Sequence, residues 1–346
     1  MNRTWCIVTV RFLASLAALG WAAIAALDSA PPALAQDLSA ELKKTGYKIV
    51  YETYRDGNWE LFTVGVDGSE RVNLTRTPQV NELYPKVSPD GSRIAFVVDQ
   101  GEGEATVRSV YTMNFDGTGR TLVARGARWP CWSPAGKAIA YLKQEGDRFA
   151  YNDPYTNGLV VYDLASGKHR EHPNQGIHHV YNPCWSLDGK WLLATVSGGM
   201  GYKHTNLAIE AEGLRVVDLG LPGCRPDVSA DGKKVAWGAS DWTMCVGELD
   251  LSGPEPRVTG TRAVVTSSKP VAIYHMDWSP DGKYVAFTRG PVKKSLGPHP
   301  AIIGVQAEGW NICVADASRK DSWVAITTDG RSNKEPDWVP VREKRP

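Results

Sequence analysis

Residues 275–282 read HMDWSPDG, and the same phrase returns as YPKVSPDG at 84–91, WPCWSPAG at 129–136, NPCWSLDG at 182–189 and RPDVSADG at 225–232. Its serines fall at 88, 133, 186, 229 and 279, so the spacing is 45, 53, 43 and 50 residues. A partial copy, EPDWVP, occupies 335–340. Each full copy runs into an apolar segment: SRIAFVV, KAIAYLK, KWLLATV, KKVAWGA or KYVAFTR. Within the phrase, Pro and Trp (or Val) stand two positions apart and share one face of a strand. The Asp-Gly step then reverses the chain, because Gly accepts a positive φ and Asp braces its own backbone. The β-branched and aromatic residues that follow favour a buried second strand.

Two weaker strands follow in most repeats, as in 110–123, 159–172 and 311–327. Four antiparallel strands in roughly 50 residues make one blade of a propeller. The chain ends supply the count. Residues 48–76 hold the last three strands of a blade and lack the opening one, whereas 335–341 hold an opening strand alone. The tail is therefore expected to complete the first blade and close an all-β, six-bladed ring without a free edge. A linear β-solenoid, the competing architecture, needs shorter rungs and capped ends.

The first 35 residues read as a leader. Arg3 and Arg11 precede an uncharged run from Phe12 to Leu27, and Ala33-Leu34-Ala35 offers a small-x-small cleavage pattern. The run is short for a membrane span and is broken by Asp28, Pro31 and Pro32, although an uncleaved anchor is the alternative. Cleavage would leave 311 residues carrying 37 basic and 37 acidic side chains. That balance argues against nucleic acid as a partner. No second apolar run approaches spanning length, so no membrane span is expected after cleavage, and export to the periplasm or the medium follows. The expected organisation is a leader at 1–35, a short segment at 36–46, the propeller at 47–341 and a tail at 342–346. Beyond the leader stand Cys131, Cys184, Cys224, Cys245 and Cys313 without a CxxC pair, which reads as small buried thiols rather than a disulfide scaffold or structural zinc.

These phrases resemble the TolB-type (WD40-like) propeller repeat, with its Pro-x-Trp-Ser-Pro-Asp-Gly signature and lysine- or arginine-led strand. The resemblance covers most of residues 47–341 and implies the fold. It implies little about activity, since transport proteins, peptidase propellers and lyases share the repeat. The α/β domain that precedes the propeller in TolB itself has no counterpart in the short stretch before residue 47.

Turns from first to second strand are short. Insertions at 143–157, 196–203, 261–273 and 290–308 are assigned to the opposite face, where a ligand would be expected. Ring positions at that mouth nominate Tyr84, Arg128, Trp129, His179, Asn182, Arg225, His275, Lys334 and Glu335 as ligand-binding residues, with Glu82 and Tyr274 beside them. His179, His204 and His275, from different blades, are the candidate metal ligands, with His178 adjacent. Asp227, Asp277 and Asp337 share one motif position; calcium binding is the functional reading, and hydrogen bonds near their own turns the structural one. No GxSxG elbow is present, and GGMG at 198–201 lacks the lysine of a phosphate loop. Trp132, Trp185, Trp278 and Trp338 read as wedges between blades.

Two functions fit. The first is an exported, monomeric, non-catalytic scaffold that holds a peptide, protein or glycan and requires no cofactor. The second is a metal-dependent carbohydrate-active enzyme, similar to oligogalacturonate lyases, which would need a divalent Ca, Mn or Zn ion.

Overall fold

The computed structural model describes residues 32–146, 149, 154–253, 255–292 and 299–340, and the expected leader falls almost wholly outside them. Six four-stranded antiparallel sheets form a ring, each running from an inner to an outer strand. The inner strands are Ser332–Val339 in blade 1, Asn81–Val87 in blade 2, Ala127–Trp132 in blade 3, Val180–Trp185 in blade 4, Cys224–Val228 in blade 5 and Val271–Trp278 in blade 6. The ring closes as expected. Strand Ser332–Val339 pairs antiparallel with Lys48–Arg55, with Ile49 opposite Trp338 and Val50 opposite Asp337. Non-local pairing thereby removes the edge that either terminus would leave alone.

The repeated phrase builds each blade locally. Its serine hydroxyl reaches the turn aspartate, 2.6 Å from Ser88 to Asp90 and 2.7 Å from Ser279 to Asp281. The same Ser88 hydroxyl accepts the Arg93 backbone N–H at 2.9 Å, which fixes where the second strand begins. The turn glycine of all five full copies sits at φ between 65° and 72°, a conformation costly for any side chain with a Cβ.

One regularity was not expected. The residue that opens each phrase, at Tyr84, Trp129, Asn182, Arg225, His275 and Glu335, has φ between 48° and 59°. The ladder slips at that point in every blade, as between Leu83 and Lys86. Each inner strand therefore carries a bulge, which re-aims consecutive side chains. The sequence held the clue: proline inside a strand paired on one side marks a bulge.

One expectation is corrected. Residues 261–266 are not a loop but the end of the outer strand Arg257–Thr266. The segment at 36–46 lies mostly within a helix, Pro32–Thr45, that begins ahead of the expected cleavage point. Leu38 and Leu42, one helical turn apart, are fully buried against Ile49, Val64, Tyr284 and Ile312, so the helix packs on both blade 1 and blade 6. Among the described residues no helix is long and apolar enough to cross a membrane.

Candidate functional site

The bulged inner strands divide the central channel into three layers. The middle layer consists of the six left-handed residues, whose side chains meet across the axis. Tyr84 Oη donates to Asn182 Oδ1 at 3.0 Å, and Arg225 Nη1 donates to Glu335 Oε1 at 3.0 Å. The Arg225 guanidinium also lies over Trp129, 5.1 Å from the ring centre, and Trp129 meets Tyr84 edge-on at 4.7 Å. The Tyr84–Asn182, Arg225–Glu335 and Arg225–Trp129 contacts join residues of nonadjacent blades across the channel.

The long-loop mouth was expected to be an open polar ring. Instead, residues 300–305 of the insertion fold back over it. Arg225 Nη2 and His275 Nε2 lie 3.0 and 2.9 Å from the Ala301 carbonyl oxygen. Lys334 Nζ donates to the carbonyls of Pro300, Ile302 and Val305 at 3.2, 2.8 and 2.9 Å. Trp59 Nε1 reaches Gly304 O at 3.2 Å, and Ile303 is buried in the core. Tyr84, Arg128, Trp129, Arg225, His275, Lys334 and Glu335 are consequently almost wholly buried. The reason is chemical: buried cations need oxygen partners, and a nearby loop supplies them intramolecularly. Glu52, 3.7 Å from Lys334, balances the charge, although burial pushes its carboxyl pKa up.

The histidines are dispersed. His179 bridges two insertions, with Nε2 2.9 Å from Glu145 and Nδ1 3.1 Å from Gly198 O. Both nitrogens of His275 are engaged, the second with Thr288 Oγ1 at 2.6 Å, and burial drives its pKa well below the usual imidazole value. His204 lines a separate depression of about 290 Å³ with Tyr274, Asp241 and His299. His178 is held by Gly176 O and the Met200 N–H. Among the described residues no three His, Cys, Asp or Glu side chains come together in a group able to hold a metal ion.

The third layer lies on the short-turn side, where a cavity of about 440 Å³ opens. All six blades contribute to it. Tyr84 and Asn182 belong to its floor, and Lys86, Cys131, Cys184, Asp227, Asp277 and Asp337 encircle its wall. Tryptophans and prolines of the phrases, among them Trp132, Trp185, Pro89 and Pro280, form the rim with Leu187, which is 55% exposed.

The wall is a charge relay between blades. Asp227 accepts the Trp278 backbone N–H at 2.8 Å, Asp277 that of Trp338 at 3.0 Å, and Asp337 that of Val87 at 2.9 Å. Each carboxylate therefore binds the next blade rather than its own turn. Lys86 Nζ lies 2.9 Å from Asp337 and 3.3 Å from Asp277. Burial opposes its charge, but Asp337 and Asp277 outweigh that and hold its pKa well above the ordinary value. Burial followed by repulsion from Asp277 raises Asp337 to about 7 and Asp227 well above the carboxylate range. Burial also raises Cys131 to about 12, so that thiol is neutral. Two of the four motif tryptophans carry a further bond: Trp132 Nε1 donates to Lys86 O and Trp338 Nε1 to Asp277 O, each in the preceding blade.

Sequence reading missed this cavity because the first-to-second turns are short, and short turns leave a channel uncovered. Lys86, Cys131 and Cys184 stand at the same motif position as the three aspartates, so alignment of the phrases already contained the ring.

A closed six-bladed β-propeller with one open and one plugged channel end is thus the class of protein defined by fold and site. No protein-family model matches the chain. The structure of TolB from Acinetobacter baumannii superposes with a TM-score of 0.60 at 17% identity, over 85% of this chain and 67% of that one. A chain of the nidogen/laminin complex gives 0.59 at 9% identity, over 85% of this chain and 99% of the other. At such identities the likeness is one of fold. Among curated proteins, dipeptidyl-peptidase 5 of Porphyromonas gingivalis is 25% identical over 274 residues, 66% of this chain and 40% of the peptidase. The uncharacterized peptidase YuxL of Bacillus subtilis is 28% identical over 226 residues, 61% of this chain and 30% of that protein. The chain thus matches less than half the length of either peptidase.

Proposed function

We propose that this chain is an exported, non-catalytic binding module that holds a protein or peptide partner in the cavity on its short-turn face. The observation that carries the reading is the cavity itself: about 440 Å³, walled by all six blades and rimmed by aromatic and proline side chains. A rigid concavity built from inner strands binds with little ordering cost. The leader sequence supports export to the periplasm or the medium. The plug over the opposite mouth moves the proposed site away from the long-loop face.

A second reading is favoured by one observation, the match to parts of two peptidases. In it the propeller serves peptide hydrolysis, presenting peptide substrate to a catalytic unit. Two measurements separate the readings. Peptides selected on the purified chain should bind it and lose binding to Leu187→Arg, a rim change that leaves the melting temperature unaltered. Turnover of dipeptidyl 4-nitroanilides by the purified chain would remove the non-catalytic reading.

A further inference from the structure

Resting on the binding-module reading, we infer that the cavity receives a cationic side chain, the ammonium of lysine or the guanidinium of arginine carried by a peptide or protein partner. The wall sets three carboxyl groups against one ammonium. Lys86 pairs with Asp337 and Asp277, and no ion pair is found for Asp227 among the described residues. Only one oxygen of Asp227 has a hydrogen-bond donor there, the backbone N–H of Trp278. The remaining wall groups, Cys131, Cys184 and Tyr84, have their pKa raised and carry no positive charge to balance the excess.

A second, independent feature points to a peptide rather than a bare ion. Trp278, on the cavity wall, keeps a buried indole N–H group without a hydrogen-bond partner. Trp278 is only 5% exposed. Buried donors of this kind demand acceptors, and the main-chain carbonyls flanking a basic side chain supply them, whereas a metal ion does not.

Entry of a cation also has a proton consequence. Burial and repulsion from Asp277 raise Asp337 to about 7 and push Asp227 up as well, so the wall favours protons that an incoming ammonium would expel. Affinity should therefore rise with pH, by about tenfold per pH unit for each proton released. The groups facing the ligand are Asp227, Asp277, Asp337, Lys86, Cys131, Cys184 and Tyr84.

The test is selection of randomised heptapeptides on the full chain, followed by fluorescence anisotropy with the enriched peptides. The expected result is that each contains Lys or Arg, and that norleucine or citrulline in its place weakens binding at least about tenfold. Asp227→Asn should weaken binding similarly without lowering the melting temperature, since asparagine still accepts the Trp278 N–H. If Asp227→Asn lowers that temperature, the norleucine and citrulline comparison on the unaltered chain still decides. Enriched peptides that bind equally well without their basic residue would overturn the inference and leave the binding-module reading standing. Stoichiometric calcium uptake abolished by Asp227→Asn would overturn it in favour of a metal site. Selection that enriches nothing over the Leu187→Arg variant would sink both.

Discussion

Lys86 and Asp337 meet at 2.9 Å across the junction of blades 2 and 1, so an ammonium from the first complete repeat locks the strand that ends the described chain. The contact is buried, and its removal leaves carboxylates without a counterion. Lys86→Met should destabilise the fold by about 3–5 kcal/mol at neutral pH. The loss should shrink near pH 5, where Asp337 holds a proton, and Lys86→Met/Asp337→Asn should recover part of it. Urea unfolding at the two pH values checks this; equal losses at both would contradict the assignment.

Asp337 contributes a pH dependence of definite sign. Its folded pKa of about 7 exceeds the ordinary 3.8, so between these values the folded chain keeps a proton that the unfolded chain has released. Stability from this group is full below the unfolded value and is lost as pH climbs towards 7. His275, pushed down by burial, acts oppositely and costs stability as pH falls below the usual imidazole value. The comparison must therefore be between the chain and Asp337→Asn, whose stability profile should fall less between pH 4 and 7. Parallel profiles would show that Asp337 does not titrate in this range.

Trp338 is 3% exposed and packs against Tyr47 at 5.6 Å while bonding to blade 6. Trp338→Ala should cost about 3–5 kcal/mol through the cavity it leaves. Leu187→Ala, at the exposed rim, should shift stability by no more than about 0.5 kcal/mol. Equal effects in denaturant titrations would contradict the wedge role.

Lys334 is fully buried and holds three plug carbonyls. Lys334→Met should cost about 3–5 kcal/mol, since Glu52 loses its counterion. It should also speed proteolytic cleavage within Pro300–Val305 relative to the other loops. Unchanged cleavage there would mean that the plug is held by Ile303 and Trp59 instead.

All five described cysteines are free, and burial raises the thiols of Cys131, Cys184 and Cys313. Thiol reagents should leave Cys131 and Cys313 untouched in the native state and label them after denaturation. Labelling under native conditions, read by mass spectrometry, would contradict their burial.

The recurring phrase determined the blade count, the turn chemistry and the closure of blade 1 by the tail, because each depends on short-range periodicity and on which strands lack partners. It also placed the tryptophans correctly between blades. Only the tertiary structure decided which end of the channel is open. That outcome depends on whether Arg225, His275 and Lys334 satisfy their buried charges and donors with an outside ligand or with the carbonyls of residues 300–305. It likewise decided that six bulges aim Tyr84, Trp129, Asn182, Arg225, His275 and Glu335 into one another, and that the aspartates bind the following blade. Contacts among residues from opposite sides of a ring leave no periodic trace in a chain, so their partners become legible only once the ring is closed.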